Sequence, residues 1–154
     1  MGAVYSASFE NVAVAAAQDL FELAGGGVKS FIVKRVVLTA AKTSSEFVRL
    51  TLNRYTGAPT SGSGGSAPAE NPKSTQYGAA TVNAEANNTT RITGGTKVTL
   101  ENFLWNLLVP FEWVPADEYQ ESEVAGEDHF TVGLEAAPSV SVNVSGSITW
   151  EEIG

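Results

Sequence analysis

Six carboxylates lie between Asp117 and Asp128, and they form the only dense cluster of charge in the chain. Closely spaced carboxylates in a loop supply oxygen ligands to Ca²⁺, which takes roughly six to eight of them. The spacing differs from that of an EF-hand loop, and the glycine that such a loop requires is missing from its place. We therefore predict a solvated acidic segment without a metal, with contact to a basic neighbour as the alternative.

A single histidine, His129, is available as the base of a Ser-His-Asp arrangement. No G-x-S-x-G elbow accompanies it, because Gly62–Ser66 resembles that motif only in composition. Glu112 with Asp117 or Glu118 would be a carboxylate pair of the kind that hydrolyses glycosides. In a chain with seventeen acids such a pair is expected by chance, so we predict no catalytic residue and no cofactor.

Three tryptophans offer flat rings on which a sugar can stack. Trp150 shares the apolar face of a predicted strand, and Trp105 lies in an apolar run. Both are therefore predicted to lie in the core. Trp113 is the tryptophan predicted to be exposed, as a sugar platform or as an anchor in a protein interface. The residues selected as a candidate interface are Phe103, Trp105, Trp113, Asp117 and Glu118.

Composition argues against several classes of function. The net charge of −8, from nine basic and seventeen acidic residues, disfavours a nucleic-acid partner or an anionic membrane, since both require a basic face. The absence of cysteine excludes disulfides and thiol chemistry. No apolar stretch is long enough to span a membrane, and the glycine-rich segment lacks the G-K-[ST] ending of a phosphate-binding loop.

A period of two predicts the elements that position these residues. The C-terminal part alternates apolar residues with serine, asparagine and threonine, which is typical of a strand with one face in a core and one in water. Such a half-wet strand indicates an antiparallel sheet. Gly146 interrupts the pattern and predicts a bulge or a close backbone approach. The apolar positions are Val140, Val142, Val144, Ile148 and Trp150.

The same signal predicts further strands, whereas two segments are interpreted differently. Residues 12–23 are either a helix capped by Asn11 or an irregular lead-in to a strand at Leu20–Leu23. Residues 56–80 are rich in glycine and proline, and Gly62–Ser66 is linker-like, so we predict one long surface excursion that is functional or flexible. The strands are predicted near residues 5–10, 31–40, 47–55, 98–101, 103–109 and 130–136, and 84–90 is a second polar stretch.

Residues 1–154 are therefore predicted to form a single all-β domain. The expected architecture is an antiparallel β-sandwich or jelly roll of about eight strands, with long surface loops and at most a short helix.

The chain also resembles small proteins found among the structural genes of tailed bacteriophages. The likeness spans most of the chain and consists of several matching segments in order, none of which is a chemical motif. These segments are Gln18–Glu22, Val48–Leu50, the Gly/Ser/Pro loop ending near Pro72, Glu85–Thr90 and Ser145–Gly154.

The resemblance implies a non-enzymatic virion component, with a head decoration (cement) protein as the leading expectation. Its partner would be the major capsid protein or another virion protein, and the chain would assemble in the host cytoplasm before joining the particle. A cyclic homo-oligomer, specifically a trimer, is expected because a shell offers local threefold positions.

Alternatives from other classes stay open at this point. A neck, tail or fibre component that binds a receptor or glycan would lose sugar binding on Trp113→Ala. A jelly-roll hydrolase would lose activity when one carboxylate between Glu112 and Asp117 is changed.

Overall fold

The computed structural model describes residues 2–27, 29–116 and 123–154, and this part of the chain contains strands but no helix. Nothing in it has the length and apolar character of a membrane-crossing helix. The strands are β1 (Ala3–Val14), β2 (Gln18–Ala24), β3 (Ser30–Ala40), β4 (Phe47–Thr56), β5 (Asn71–Pro72), β6 (Asn83–Asn88), β7 (Thr96–Asn106), β8 (Phe111–Trp113), β9 (Glu123–Val124), β10 (His129–Leu134) and β11 (Val142–Ile153).

The strands form two antiparallel sheets that enclose one apolar core. The first sheet has the order β5-β1-β11-β3-β8, with β9 also paired to β3, and the second has the order β6-β2-β10-β4-β7. Within them, β1-β11-β3-β8 and β2-β10-β4-β7 follow the strand order of an eight-stranded jelly roll. The predicted sandwich is confirmed, and β5, β6 and β9 are additions to it.

The alternation at the C-terminus is confirmed with one correction at its start. β11 begins at Val142, and Val140 is 62% exposed in the preceding loop rather than inside. Gly146 is a close-approach position, because a Cβ there would lie 2.8 Å from Leu38 and 3.0 Å from Phe9. The sheet also carries an irregularity beside it, since Phe9 pairs with Gly146 but Val12 already pairs with Val144.

Residues 12–23 contain the end of β1 and most of β2, so the helix interpretation is wrong. The register explains why this segment lacks a simple alternation. Phe21 pairs with Val132 and Asp19 pairs with Gly133, which leaves Leu20 as an extra residue in a bulge. The bulge reverses the alternation, so that Asp19 and Glu22 both lie on the outer face of the second sheet.

The glycine-rich loop lies on the surface, as the sequence predicts, but backbone pairing holds it along the protein. Thr60, Ser63 and Ser66 pair through their backbones with Thr93, Thr90 and Ala86, respectively. A Cβ at position 65 would lie 2.1 Å from the Ala86 carbonyl oxygen. Glycine is needed here because the loop backbone lies directly against the neighbouring chain.

This loop changes the exposure of the second sheet. β2 and β10 are buried at almost every position, although the sequence pattern predicts one wet face for residues 130–136. The polar stretch at 84–90 also differs from its interpretation, because it contains strand β6 at the edge of the same sheet. The loop and the segment 89–95 together cover part of the outer face.

Candidate interaction surface

Four loops meet at one end of the sandwich, which we call the apolar end: residues 15–17, 41–46, 107–110 and 135–141. Hydrogen bonds connect three of these loops, 41–46, 107–110 and 135–141. The Ala41 N–H donates to the Asn143 carbonyl over 2.8 Å, and the Leu107 N–H donates to the Glu46 carbonyl over 2.9 Å. The Glu46 carboxylate accepts a hydrogen bond from the Ser139 N–H over 2.6 Å, which connects the loop 135–141 to the loop 41–46.

Large apolar side chains project from this end into solvent. Val140 is 62% exposed, and Leu108 and Val109 are each about half exposed. The four loops contain only three charged residues, and each is in an ion pair: Lys42 with Glu46, and Glu135 with Arg91. A surface with exposed aliphatic groups and no unpaired charge costs little to desolvate, which is typical of the core of a protein interface.

The opposite end of the sandwich has the reverse character. The connection from β8 to β10, residues 114–128, contains six acids and no basic residue. It meets the loop 25–29, because the Gly25 and Gly27 N–H groups donate to the Asp128 and Gly126 carbonyls. Among the described residues, the apolar end therefore differs from the opposite end, where Glu123, Glu127 and Asp128 lie, and the sequence pattern does not predict this difference.

Two of the predicted interface residues lie on the lateral edge where β7 and β8 face each other. The rings of Phe103 and Phe111 meet edge to face with centroids 5.1 Å apart. Phe103 and Trp113 are half-buried there. Trp105 is only 3% exposed, and its indole N–H donates to the Val109 carbonyl over 2.9 Å. Its core interpretation is confirmed, as is that of the fully buried Trp150.

The other two predicted interface residues, Asp117 and Glu118, lie outside the described residues. Their proposed catalytic partner Glu112 is exposed on β8 and accepts a hydrogen bond from Arg35 over 2.9 Å. Within residues 2–27, 29–116 and 123–154, no group of three or more acidic or histidine side chains is arranged to hold a metal ion.

Beneath the covering loop lies a layer of polar side chains that sequence reasoning missed. His129 Nδ1 lies 2.8 Å from Glu22 Oε1, and both side chains are buried. The other Glu22 oxygen accepts hydrogen bonds from the Gly62 N–H and from Asn88. Burial opposes ionisation of Glu22, but hydrogen bonds from His129, Gly62 and Ser61 outweigh it, so the pKa of Glu22 is lowered.

Arg91 anchors the second half of this polar layer. Its guanidinium donates to Asp19 over 2.9 Å and to both oxygens of Glu135 over 2.8 and 3.0 Å. Gly133 makes room for it, since a Cβ there would lie 2.5 Å from the guanidinium. Hydrogen bonds from Arg91, and then from Thr51, lower the pKa of Glu135 to about 2 against the effect of burial. Burial raises the pKa of Asp19 in spite of Arg91.

The polar layer fastens the loop to the sheet. The Gly62 N–H donates to Glu22, and the Ile92 N–H donates to Asp19 over 3.0 Å. The glycine-rich loop and the segment 89–95 are therefore both hydrogen-bonded to buried carboxylates of β2. The carboxylates of Asp19, Glu22 and Glu135 and the guanidinium of Arg91 each form hydrogen bonds with other groups of the protein. These charged groups hold the backbone of the two covering segments in position.

The sequence contains only a weak indication of this polar layer. Asp19 and Glu22 stand in an otherwise apolar segment, and burying two carboxylates requires partners elsewhere in the chain. The pairs formed, Glu22 with His129 and Asp19 with Arg91, join residues far apart in sequence, so no local spacing identifies them.

Comparisons of the chain with protein-family models, with curated proteins and with solved structures found no match.

Proposed function

We propose that this protein is a non-enzymatic structural component of a tailed-phage virion, and that it decorates the head by docking its apolar end on the shell. The observation that carries the docking orientation is the difference between the two ends of the sandwich. Val140, Leu108 and Val109 are exposed at an end without unpaired charge, while Glu123, Glu127 and Asp128 lie at the opposite end of the described structure.

Docking through the apolar end is the physically favourable orientation for this chain. It removes aliphatic surface from water at roughly 25 cal/mol per Å², and it leaves the opposite end in solvent, where its charges stay hydrated. A shell repeats the same contact many times, so a modest affinity per copy suffices when copies are linked. Binding only to the assembled shell stabilises it by mass action.

The virion assignment itself rests on the resemblance to tailed-phage structural proteins. The choice of the head over the neck or tail rests on the same resemblance, and the partner expected there is the major capsid protein. The non-enzymatic character is part of the proposal and is supported by the use of the buried ionisable groups as loop anchors.

A binding assay with two matched variants tests the docking end. Val140→Asp places one new negative charge at the apolar end, and Ala125→Asp places the same charge on an exposed residue of the opposite end. We expect Val140→Asp to weaken co-sedimentation with expanded shells of the encoding phage by about tenfold or more, because a charge would be desolvated in the contact. Ala125→Asp should bind like the unaltered protein.

Circular dichroism and thermal unfolding of both variants check that each is folded, which is expected because both positions are exposed. Absence of binding by the unaltered protein would contradict the decoration role. Equal binding by the two variants would contradict docking through the apolar end.

A further inference from the structure

A second apolar surface lies on the side of the sandwich, along β7, which is an edge strand of the second sheet. Its outer face, which we call the β7 face, consists of Phe47, Arg49 and Leu104. Leu104 pairs with Arg49 and Phe47 pairs with Asn106, so Leu104 and Phe47 are diagonal neighbours on one face. Leu104 is 73% exposed and Phe47 is 63% exposed, the two highest values among large apolar side chains of the described residues.

The neighbouring surface, which we call the aromatic edge, consists of Glu101, Phe103, Phe111 and Trp113. Glu101 and Phe103 pair with Leu52 and Leu50 and therefore point to the core side of β7, away from the β7 face. The two surfaces thus adjoin along a single strand and point in different directions. One flat partner surface cannot cover both of them.

The two surfaces carry opposite charges. Arg49 is exposed on the β7 face, where its guanidinium donates to the neutral amide of Asn102 over 2.9 Å. Glu101, half-buried on the aromatic edge, forms no ion pair within the part of the chain that the structure describes. A cation on one apolar surface and an anion on the adjoining one are complementary between copies of the same chain.

We propose that the occupant of both surfaces is a second copy of this chain, and that copies form a closed ring of three. In this ring the β7 face of each copy packs on the aromatic edge of the next, and Arg49 pairs with Glu101 across each contact. Such a heterologous contact closes into a ring when the rotation allows it. We choose three copies because a shell offers local threefold positions. This number rests on the proposed function, whereas the contact between copies does not.

The contact is made by side chains and does not extend the sheet. β7 carries a register shift opposite Leu52 and Asn53, with Leu100 as the extra residue. A bulge of this kind disturbs the row of backbone groups that strand addition requires. The exposed Leu104 and Phe47 and the aromatic edge remain as the surfaces available for association.

Charge reversal at the two positions tests the ring. By sedimentation equilibrium or light scattering, the unaltered protein should have the mass of a trimer. Arg49→Glu and Glu101→Arg should each raise the dissociation constant about tenfold or more, and the double variant should recover most of the loss because the pair is restored with reversed signs. Leu104→Asp should dissociate the ring, and Lys73→Glu, an exposed reversal beside β5 at the opposite edge of the first sheet from β8, should leave it intact.

A monomer or dimer at all concentrations, or a Leu104→Asp variant that stays trimeric, would overturn the proposal. So would a double variant as dissociated as the singles. The result is independent of shell docking: an intact ring that fails to bind shells counts against the decoration role, and a monomer that binds them counts against the ring. Circular dichroism shows whether each variant is folded.

Discussion

Arg91→Met is expected to lower the free energy of unfolding by about 3 kcal/mol, the low end of the range for removing one partner of a buried ion pair. The guanidinium is the shared partner of Asp19, whose side chain is fully buried, and of Glu135. Methionine keeps much of the aliphatic volume, so the loss comes mainly from the carboxylates left without their cation. The value is placed at the low end because the Arg91 side chain is partly exposed.

The matched control is Arg35→Met, which removes the same charge from an ion pair whose partners, Arg35 and Glu112, are both more than half exposed. Exposed pairs contribute about 0–1 kcal/mol. Urea unfolding at neutral pH measures both variants. Similar losses in the two would show that the polar layer does not hold the loop on the sheet.

Acid is expected to destabilise the protein between about pH 4.5 and pH 2, largely through Glu135. The pKa of this group is lowered from 4.5 to about 2 in the folded protein. Because the folded pKa is depressed, the stabilisation is complete above the unfolded pKa and is lost as the pH falls toward the folded one. Glu22 acts in the same direction, and Asp19, whose pKa is raised by burial, acts in the opposite direction.

Glu135→Gln isolates this contribution. The variant should be less stable than the unaltered protein at pH 7, since the bidentate contact with Arg91 loses its charge. Its stability should fall less steeply below pH 4.5, by up to about 1.4 kcal/mol per pH unit, the limit for one proton. Urea midpoints over a pH series give both slopes. Parallel curves would mean that Glu135 is not the group that titrates.

The strands with a strict period of two could be predicted from the sequence. Val142, Val144, Ile148 and Trp150 are buried as their alternation predicts, because a strand at a sandwich core must place every second residue inside. The recurrence of such segments along the chain also predicts the two-sheet architecture. Gly146 was identified as a close approach for the same reason.

Bulges and loop packing could not be predicted in this way. Alternation fails at Asp19 and Glu22 because Leu20 is an extra residue, and nothing local marks it as extra. The glycines of residues 62–66 have the composition of a flexible linker, yet they are required by backbone contact with residues 86–90. Composition indicates which segments have conformational freedom, but only the tertiary structure shows which close contacts require it.

The candidate surface was predicted in part. Phe103 and Trp113 lie on the aromatic edge, but the sequence analysis did not select Leu104, Phe47 or Val140, which are the most exposed large apolar side chains of the described residues. Leu104 falls between core residues in an apolar run, and its outward direction follows only from its pairing with Arg49. The apolar end combines four loops that are distant in sequence, so its character emerges only when the strand order is known.

The most direct test of the account is imaging of purified particles of the encoding phage at side-chain resolution. We predict that this chain lies on the outside of the head as a two-sheet sandwich, with Leu108, Val109 and Val140 against the shell and with Glu127 and Asp128 directed into solvent. A particle without the chain, or a chain seated on the shell by the end that carries Glu127 and Asp128, would contradict this prediction.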